Sequence, residues 1–206
     1  MADLNTLQNL FESELRDVYD AEKQILKALP KIIKAAADED LREALSGHLD
    51  ETRGQVARLE QAFASLDLKP KGKHCAGMAG ILEEGNELLK EDGDDAVLDA
   101  AFIAGCQRVE HYEITAYGCL MAWAKLLGHR EALTLLKANE QEEKAADAKL
   151  SRLAESTVNQ QAASAGAEDD AVEDAKASSR PSRDPRCNAA QGRPHSRPAL
   201  RVQGEP

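Results

Sequence analysis

Apolar residues recur at intervals of three and four along most of the first 160 positions, which is the spacing of amphipathic helices. The pattern predicts one long helix over about residues 3–37 and a second over about 38–66. Pro30 is expected to kink the first helix without ending it, because apolar positions continue beyond it. The tight connection between the two segments indicates an antiparallel hairpin.

A short apolar segment and two more long helical segments follow, over about 76–91, 95–127 and 130–157. Gly128 is a natural C-terminal cap between the last two segments, so they form a second hairpin. The whole stretch 67–94 joins the hairpins. Two hairpins connected by one long crossover have the connectivity of ferritin-like four-helix bundles. We therefore predict an all-α fold of this kind.

The predicted bundle covers residues 1–160, and residues 161–206 are predicted to form a disordered low-complexity tail. From Ser164 onward the chain holds most of the prolines and almost no large apolar side chains. Such a segment cannot bury enough surface to offset its chain entropy. Its Arg-rich end could contact nucleic acid or an acidic partner, but a solvated tail is the simpler interpretation.

The charge balance narrows the possible functions. The chain has 26 Lys and Arg against 37 Asp and Glu, a formal net charge of −11, and the segment from Ser164 is itself neutral. The excess of acid therefore lies on the bundle, which argues against a coat for nucleic acid or an anionic membrane. No run approaches the roughly 18 apolar residues of a membrane span, and no signal peptide is evident, so we expect a cytoplasmic protein.

Acidic side chains and one histidine interrupt the apolar stripes of all four long segments. The candidate ligands are Glu22 in the first segment, His48 and Glu51 in the second, Glu110 and Glu113 in the third, and Glu143 and Asp147 in the fourth. Spacings of three or four place the members of each pair on one helix face.

These candidates also lie at similar heights in the two hairpins. Residues equally distant from the turn of an antiparallel hairpin share a level. Glu22 and Glu51 lie 15 and 14 residues from the first turn, and Glu113 and Glu143 both lie 15 residues from the second. At the rise of an α-helix, this is ~22 Å from each turn.

Several ionised carboxylates cannot be gathered in a low-dielectric interior without compensation. Two polyvalent cations would supply it, and carboxylates with imidazole from four helices are typical ligands of di-iron and di-manganese bundles. We therefore predict a site for two iron ions, with manganese or another divalent metal as the alternative. Two other interpretations stay open: solvated acidic faces, and a buried structural network with Arg108 and Lys144.

Several of these segments resemble the YciE/YciF ferritin-like family in order, over about residues 4–155. The motifs are Tyr19-Asp-Ala-Glu-Lys-Gln24, His48-Leu-Asp-Glu-Thr52, Gln107-Arg-Val-Glu-His-Tyr-Glu-Ile114 and Glu142-Glu-Lys-Ala-Ala-Asp147. The resemblance implies a homodimeric ferritin-like bundle, an association with bacterial stress responses and a ferroxidase-type di-iron centre. One departure is the order His48-x-x-Glu51, where ferritin-like enzymes often carry Glu-x-x-His.

Four polar residues near these stripes are candidates to hydrogen-bond the ligands: Tyr19, Gln55, Tyr112 and Tyr117. The tyrosines could instead relay oxidising equivalents or pack in the core. Our first functional hypothesis is an iron protein that reacts with dioxygen or peroxide. The second is a non-enzymatic dimeric scaffold in which any metal is structural, and the third is a bundle whose acids only pack.

Overall fold

The computed structural model describes residues 4–165, and every element within that range is helical. The helices are α1 (Leu7–Ala35), α2 (Glu39–Ser65), α3 (Ala76–Leu88), α4 (Asp95–Leu127) and α5 (Arg130–Leu153). Beyond α5 the chain continues through a π-helical turn, Ala154–Val158, and stays helical to residue 165. The predicted all-α fold is confirmed. The rest of the predicted tail, 166–206, lies outside the described residues.

Local capping explains where several helices begin and end. The side chains of Asp38 and Asp94 accept hydrogen bonds from free backbone N–H groups in the first turns of α2 and α4. Gly128 ends α4 at φ 79°, in the left-handed region that residues with a Cβ rarely adopt. α1 begins at Leu7, later than predicted, because the Thr6 hydroxyl caps it by accepting from Asn9 N–H.

The four long helices close a ring, in which α1 and α5 each pack against both α2 and α4. The short helix α3 lies in the crossover and packs on α4 and α1. The first turn is held from across the bundle, because the buried Asp99 of α4 accepts from the backbone N–H groups of Ala37 and Asp38. This arrangement confirms the predicted two hairpins joined by a long crossover.

The core consists of two apolar clusters, one toward each end of the bundle. The turn-end cluster lies toward the α1–α2 turn and includes Ile25, Leu45, Met78, Ile103 and Leu150. The cap-end cluster lies toward Gly128 and includes Phe11, Leu59, Phe63, Leu120 and Leu136. Between them, each long helix passes through a short polar stretch. Within residues 4–165, no helix is long and apolar enough to cross a membrane.

Candidate metal centre

Five ionisable side chains meet in the layer between the two apolar clusters, and all four long helices contribute. They are Glu22 from α1, His48 from α2, Glu110 and Glu113 from α4, and Glu143 from α5. None is more than 5% exposed. Four carboxylates with this degree of burial are unusual, because charged side chains are almost never fully buried unless they are paired.

Helical periodicity aims these side chains at the bundle axis. On α1, Glu22 follows the buried Leu15 and Val18 and precedes Ile25 and Leu29, at alternating intervals of three and four. The same alternation leads to the other four residues on their own helices. The acidic layer is therefore built on the stripes that supply the apolar core.

The distances are short enough for a shared cation. One side-chain N or O atom from each of His48, Glu110, Glu113 and Glu143 lies within 4.8 Å of the others. His48 Nε2 is 3.3 Å from Glu110 Oε1 and 4.0 Å from Glu143 Oε2. Glu22 adjoins this group, and its Oε1 accepts a hydrogen bond from the Tyr117 hydroxyl.

Burial and mutual repulsion raise the pKa of every carboxyl in the layer. Desolvation, with the charge of Glu143, raises the pKa of Glu22 to about 8. Desolvation is also the main cause for Glu110, whose pKa rises to about 8, and for Glu113 and Glu143, whose pKa values rise well above the usual range. Without a compensating cation, the layer therefore tends to hold protons.

The pKa of His48 is also raised, and for an imidazole this favours the charged form. Desolvation alone would lower the pKa of its imidazole, but Glu51, whose Oε2 is 3.6 Å from Nδ1, and the charges of Glu143 and Glu22 raise it overall. The imidazolium form is one source of positive charge in the layer. One such cation does not balance four carboxylates.

The donor atoms of the layer fit a metal ion. Within the described residues, Glu22 Oε2, Glu110 Oε2, Glu113 Oε1 and both oxygens of Glu143 are buried without a hydrogen-bond partner, as are both ring nitrogens of His48. Unpaired buried polar atoms are costly and rare in native proteins. Carboxylate oxygens with one imidazole nitrogen form a ligand set suited to iron, manganese or zinc.

Two predicted ligands lie outside this buried group. The side chain of Glu51 is 47% exposed and contacts the outer side of His48. Asp147 is 23% exposed, accepts a hydrogen bond from Gln107 Nε2 at 3.0 Å, and lies 3.5 Å from His111 Nε2. Both flank the buried group on its solvent side.

Of the four residues predicted to hydrogen-bond the ligands, Tyr117 donates to a ligand carboxylate, Gln55 is buried without a partner for its amide in the described part of the chain, and two bond other side chains. The Tyr117 hydroxyl donates to Glu22 and is buried, and Gln55 is buried with an amide that has no partner among the described residues. The Tyr19 hydroxyl instead donates to Glu60. The Tyr112 hydroxyl donates to Asp17 and contacts Cys75 Sγ at 2.9 Å, at the crossover.

Asn139 is a further polar residue of the layer that the sequence-based prediction missed. It is fully buried; its Nδ2 donates to the Tyr117 hydroxyl at 2.9 Å, and its Oδ1 accepts from Arg58 Nε at 2.5 Å. A hydrogen-bonded chain therefore runs from Arg58 through Asn139 and Tyr117 to Glu22. Its place on the α5 stripe, between Leu136 and Glu143, was the available signal.

The sequence matches the family described as domain of unknown function DUF892 over residues 6–163. It is 44% identical to protein YciF of Escherichia coli strain K12 over 160 residues, covering 77% of this chain and 96% of that protein.

Solved structures of relatives have the same architecture. The crystal structure of the E. coli stress protein YciF, 44% identical, superposes with a TM-score of 0.73 over 76% of this chain and 99% of its own. YcfI of Rhodopseudomonas palustris, described as a candidate structural protein, is 48% identical with a TM-score of 0.71, over 72% of this chain and 95% of its own. A protein from Xanthomonas campestris pv. campestris, 18% identical with a TM-score of 0.61, shares the fold over 75% of this chain and 95% of its own.

Proposed function

This chain belongs to the DUF892 family, and we propose that it is a ferritin-like carboxylate protein whose buried centre holds two divalent metal ions, with iron as the first candidate. Family membership confirms the resemblance to YciF. The observation that carries the proposal is the set of buried, unpartnered oxygen and nitrogen atoms contributed by four helices. Because YciF is a stress protein, we infer a stress-related role for this chain as well. The cytoplasmic location remains the expectation drawn from the sequence.

The residues that would hold the ions are Glu22, His48, Glu110, Glu113 and Glu143, and Glu51 and Asp147 would complete the shell from the solvent side. Iron bound there would supply the Fe(II)/Fe(III) couple, which is the chemistry of a ferroxidase acting with dioxygen or peroxide. The chain's own contribution is a buried ligand set in a fixed orientation.

Hydrogen bonds around the centre fix two ligands in particular. The Tyr117 hydroxyl, itself bonded to Asn139, holds one oxygen of Glu22 and leaves the other free. Glu51 lies beside His48 Nδ1 and leaves Nε2 directed toward Glu110 and Glu143. Such outer contacts orient ligands and tune their basicity.

Metal binding to the purified full chain tests this proposal. Elemental analysis and anaerobic titration with Fe(II) should give about two ions per chain, and air should then produce ferric absorbance. Glu143→Gln should weaken binding at least about 100-fold, since even indirect ligand contacts cost roughly 10–100-fold when lost. The matched control is Glu131→Gln on the same helix, because Glu131 is exposed. A protein that takes up neither iron nor manganese contradicts the proposal.

A second candidate is a non-enzymatic structural protein, which the description of the R. palustris relative favours. The dimer expected from the sequence is part of this candidate. In that case, a bound metal would only stabilise the bundle. Tight binding without oxygen consumption, together with a melting temperature that falls on chelation, would favour this alternative. Oxygen consumption that depends on bound iron and is lost in Glu143→Gln would favour the ferroxidase.

A further inference from the structure

One apolar pocket and one polar pocket reach the same edge of the acidic layer. His48 and Glu110 line both of them. One pocket lies among α1, α3 and α4 and has almost entirely apolar walls, including Ile25, Leu29, Ile81, Phe102 and Val109. The other lies between α2 and α5 and is lined by Glu51 and Lys149 among others.

The apolar pocket is small. Its cavity volume is about 30 Å³, against about 240 Å³ for the polar pocket. Since one water molecule requires roughly 10–15 Å³ on this measure, the apolar pocket has room for about two water-sized units, or one diatomic molecule. Aliphatic chains and aromatic rings are too large for it as it stands.

The walls decide which small molecules are favoured. An ion entering the pocket would lose its hydration and meet no polar partner until it reached His48 and Glu110. Water also needs two to four polar partners, and apolar cavities of this kind stay dry and bind apolar probes such as xenon. Glu110 lies at the inner end and is 1% exposed. Its Oε2 is buried without a hydrogen-bond partner among the described residues.

We propose that this apolar pocket is a binding site for a small uncharged molecule of diatomic size, and that it admits this molecule to the His48–Glu110 edge of the centre. Ions and water reach the same edge through the polar pocket. The inference rests on the proposed function only in that bound metal gives the molecule a reaction partner. The pocket itself belongs to the metal-free chain.

Two glycines allow each pocket to be filled separately. Gly105 lines the apolar pocket from α4, and Gly47 lines the polar pocket from α2. A Cβ added at either position meets no atom within 4 Å. Alanine at both positions should therefore be tolerated, because it also has a higher helix propensity than glycine.

Xenon binding to the metal-free full chain, followed by ¹²⁹Xe and amide NMR, is the test. Xenon should bind with amide shifts centred on Gly105 and Val109. Gly105→Ala should lower the association constant at least about 10-fold, because its methyl group takes up much of a space of about 30 Å³, and Gly47→Ala should change it less than about 2-fold. Benzene should not displace xenon, because an aromatic ring is larger than a space of about 30 Å³.

The outcomes separate this inference from the proposed function. No xenon binding, equal loss in both glycine variants, or displacement by benzene would overturn the pocket assignment. Co(II) binding to the same variants provides the independent measurement, because Gly105→Ala changes no ligand. Xenon binding without Co(II) binding would support the pocket and contradict the proposed metal centre. Co(II) binding without xenon binding would support the metal centre and overturn the pocket assignment.

Discussion

The cap-end cluster and the acidic layer next to it are built on the same helix stripes but have opposite energetics. On α4 the buried positions run from Glu110 and Glu113 to Tyr117 and Leu120 without a change in spacing. Burying Leu120 gains roughly 25 cal/mol for each Å² of apolar surface removed from water. Burying Glu113 has a cost, because its carboxylate loses hydration and lies near three other acids.

This difference separates the part of the bundle that supports the fold from the part that could hold a ligand. The two apolar clusters stabilise the metal-free protein from both ends of the acidic layer. Among the described residues, the carboxylates of the layer have one hydrogen bond, from Tyr117 to Glu22, and otherwise depend on protons or cations for stabilisation. Replacing buried charges by apolar residues often stabilises a protein. The comparison therefore predicts that stability and metal binding can be changed separately.

The largest effect on stability should come from a substitution in the cap-end cluster. Leu120→Ala should lower the free energy of unfolding by ~2–5 kcal/mol, since it removes buried methyl groups and leaves a cavity. Leu126→Ala on the same helix should cost less than about 0.5 kcal/mol, because Leu126 is 76% exposed. Urea unfolding of the metal-free proteins measures both changes.

Metal affinity should be unaffected by Leu120→Ala as long as the variant is folded. Equal destabilisation by the two leucine substitutions would contradict the assignment of the cap-end cluster. Loss of metal binding in folded Leu120→Ala would contradict the separation of the two regions.

The double substitution Glu113→Leu/Glu143→Leu should have the opposite sign. It should raise the free energy of unfolding of the metal-free protein by ~1–4 kcal/mol, because two buried carboxyls are replaced by apolar groups. Added metal should stabilise the wild type by mass action but not this variant. Thermal unfolding with and without Co(II) measures both effects.

Glu131→Leu is the control for surface substitution on α5 and should change stability by less than about 0.5 kcal/mol. A metal-free double variant that is less stable than the wild type would show that the acids contribute favourably as a packed network. That result would support the third hypothesis, in which the acids pack without metal.

The fold was predictable because its signals are local. α4 spans Asp95–Leu127 as predicted, since Asp94 is a good N-cap and Gly128 a good C-terminal cap. The crossover was recognised by its length and its turn residues. The start of α1 was placed too early because the apolar Leu4 fits the helical period, whereas the Thr6 cap sets the boundary.

The candidate metal centre was less predictable because large apolar residues alone do not define the buried stripe. On α2 the buried stripe runs through Leu45, His48, Thr52, Gln55 and Leu59. Glu51 is one position from this stripe, although it matches the height of Glu22 more closely than His48 does. On α5 the small residue Ala146 occupies the buried position, and Asp147 lies on the solvent side.

The hydrogen bonds between helices were beyond sequence reasoning. Arg58 and Asn139 are 81 positions apart, and their contact depends on the rotation of α2 against α5. Tyr112 and Asp17 are 95 positions apart and depend on how α1 packs against α4. Periodicity specifies which face of a helix is buried, but it does not specify which atoms meet across the interface.

The free energy of unfolding of the metal-free protein should also depend on pH, and its change per pH unit is the smallest of these expected effects. Urea unfolding at several pH values measures it. The pKa values of Glu22 and Glu110 rise from the usual 4.5 to about 8 on folding. Between those values, the folded state binds more protons than the unfolded state, so the free energy of unfolding falls as pH rises. The slope has an upper limit of ~1.4 kcal/mol per pH unit for each group.

Metal should remove this trend, because bound ligands are deprotonated in the folded state and the same carboxyls are deprotonated above about pH 4.5 in the unfolded state. The metal-loaded protein should therefore not lose stability through Glu22 and Glu110 as pH rises from about 4.5 to 8. Glu22→Gln should flatten the metal-free slope by one group's contribution, since glutamine does not titrate. A metal-free protein whose stability rises over this range would mean that other carboxylates dominate, and the energetic contrast between the acidic layer and the apolar clusters would fail.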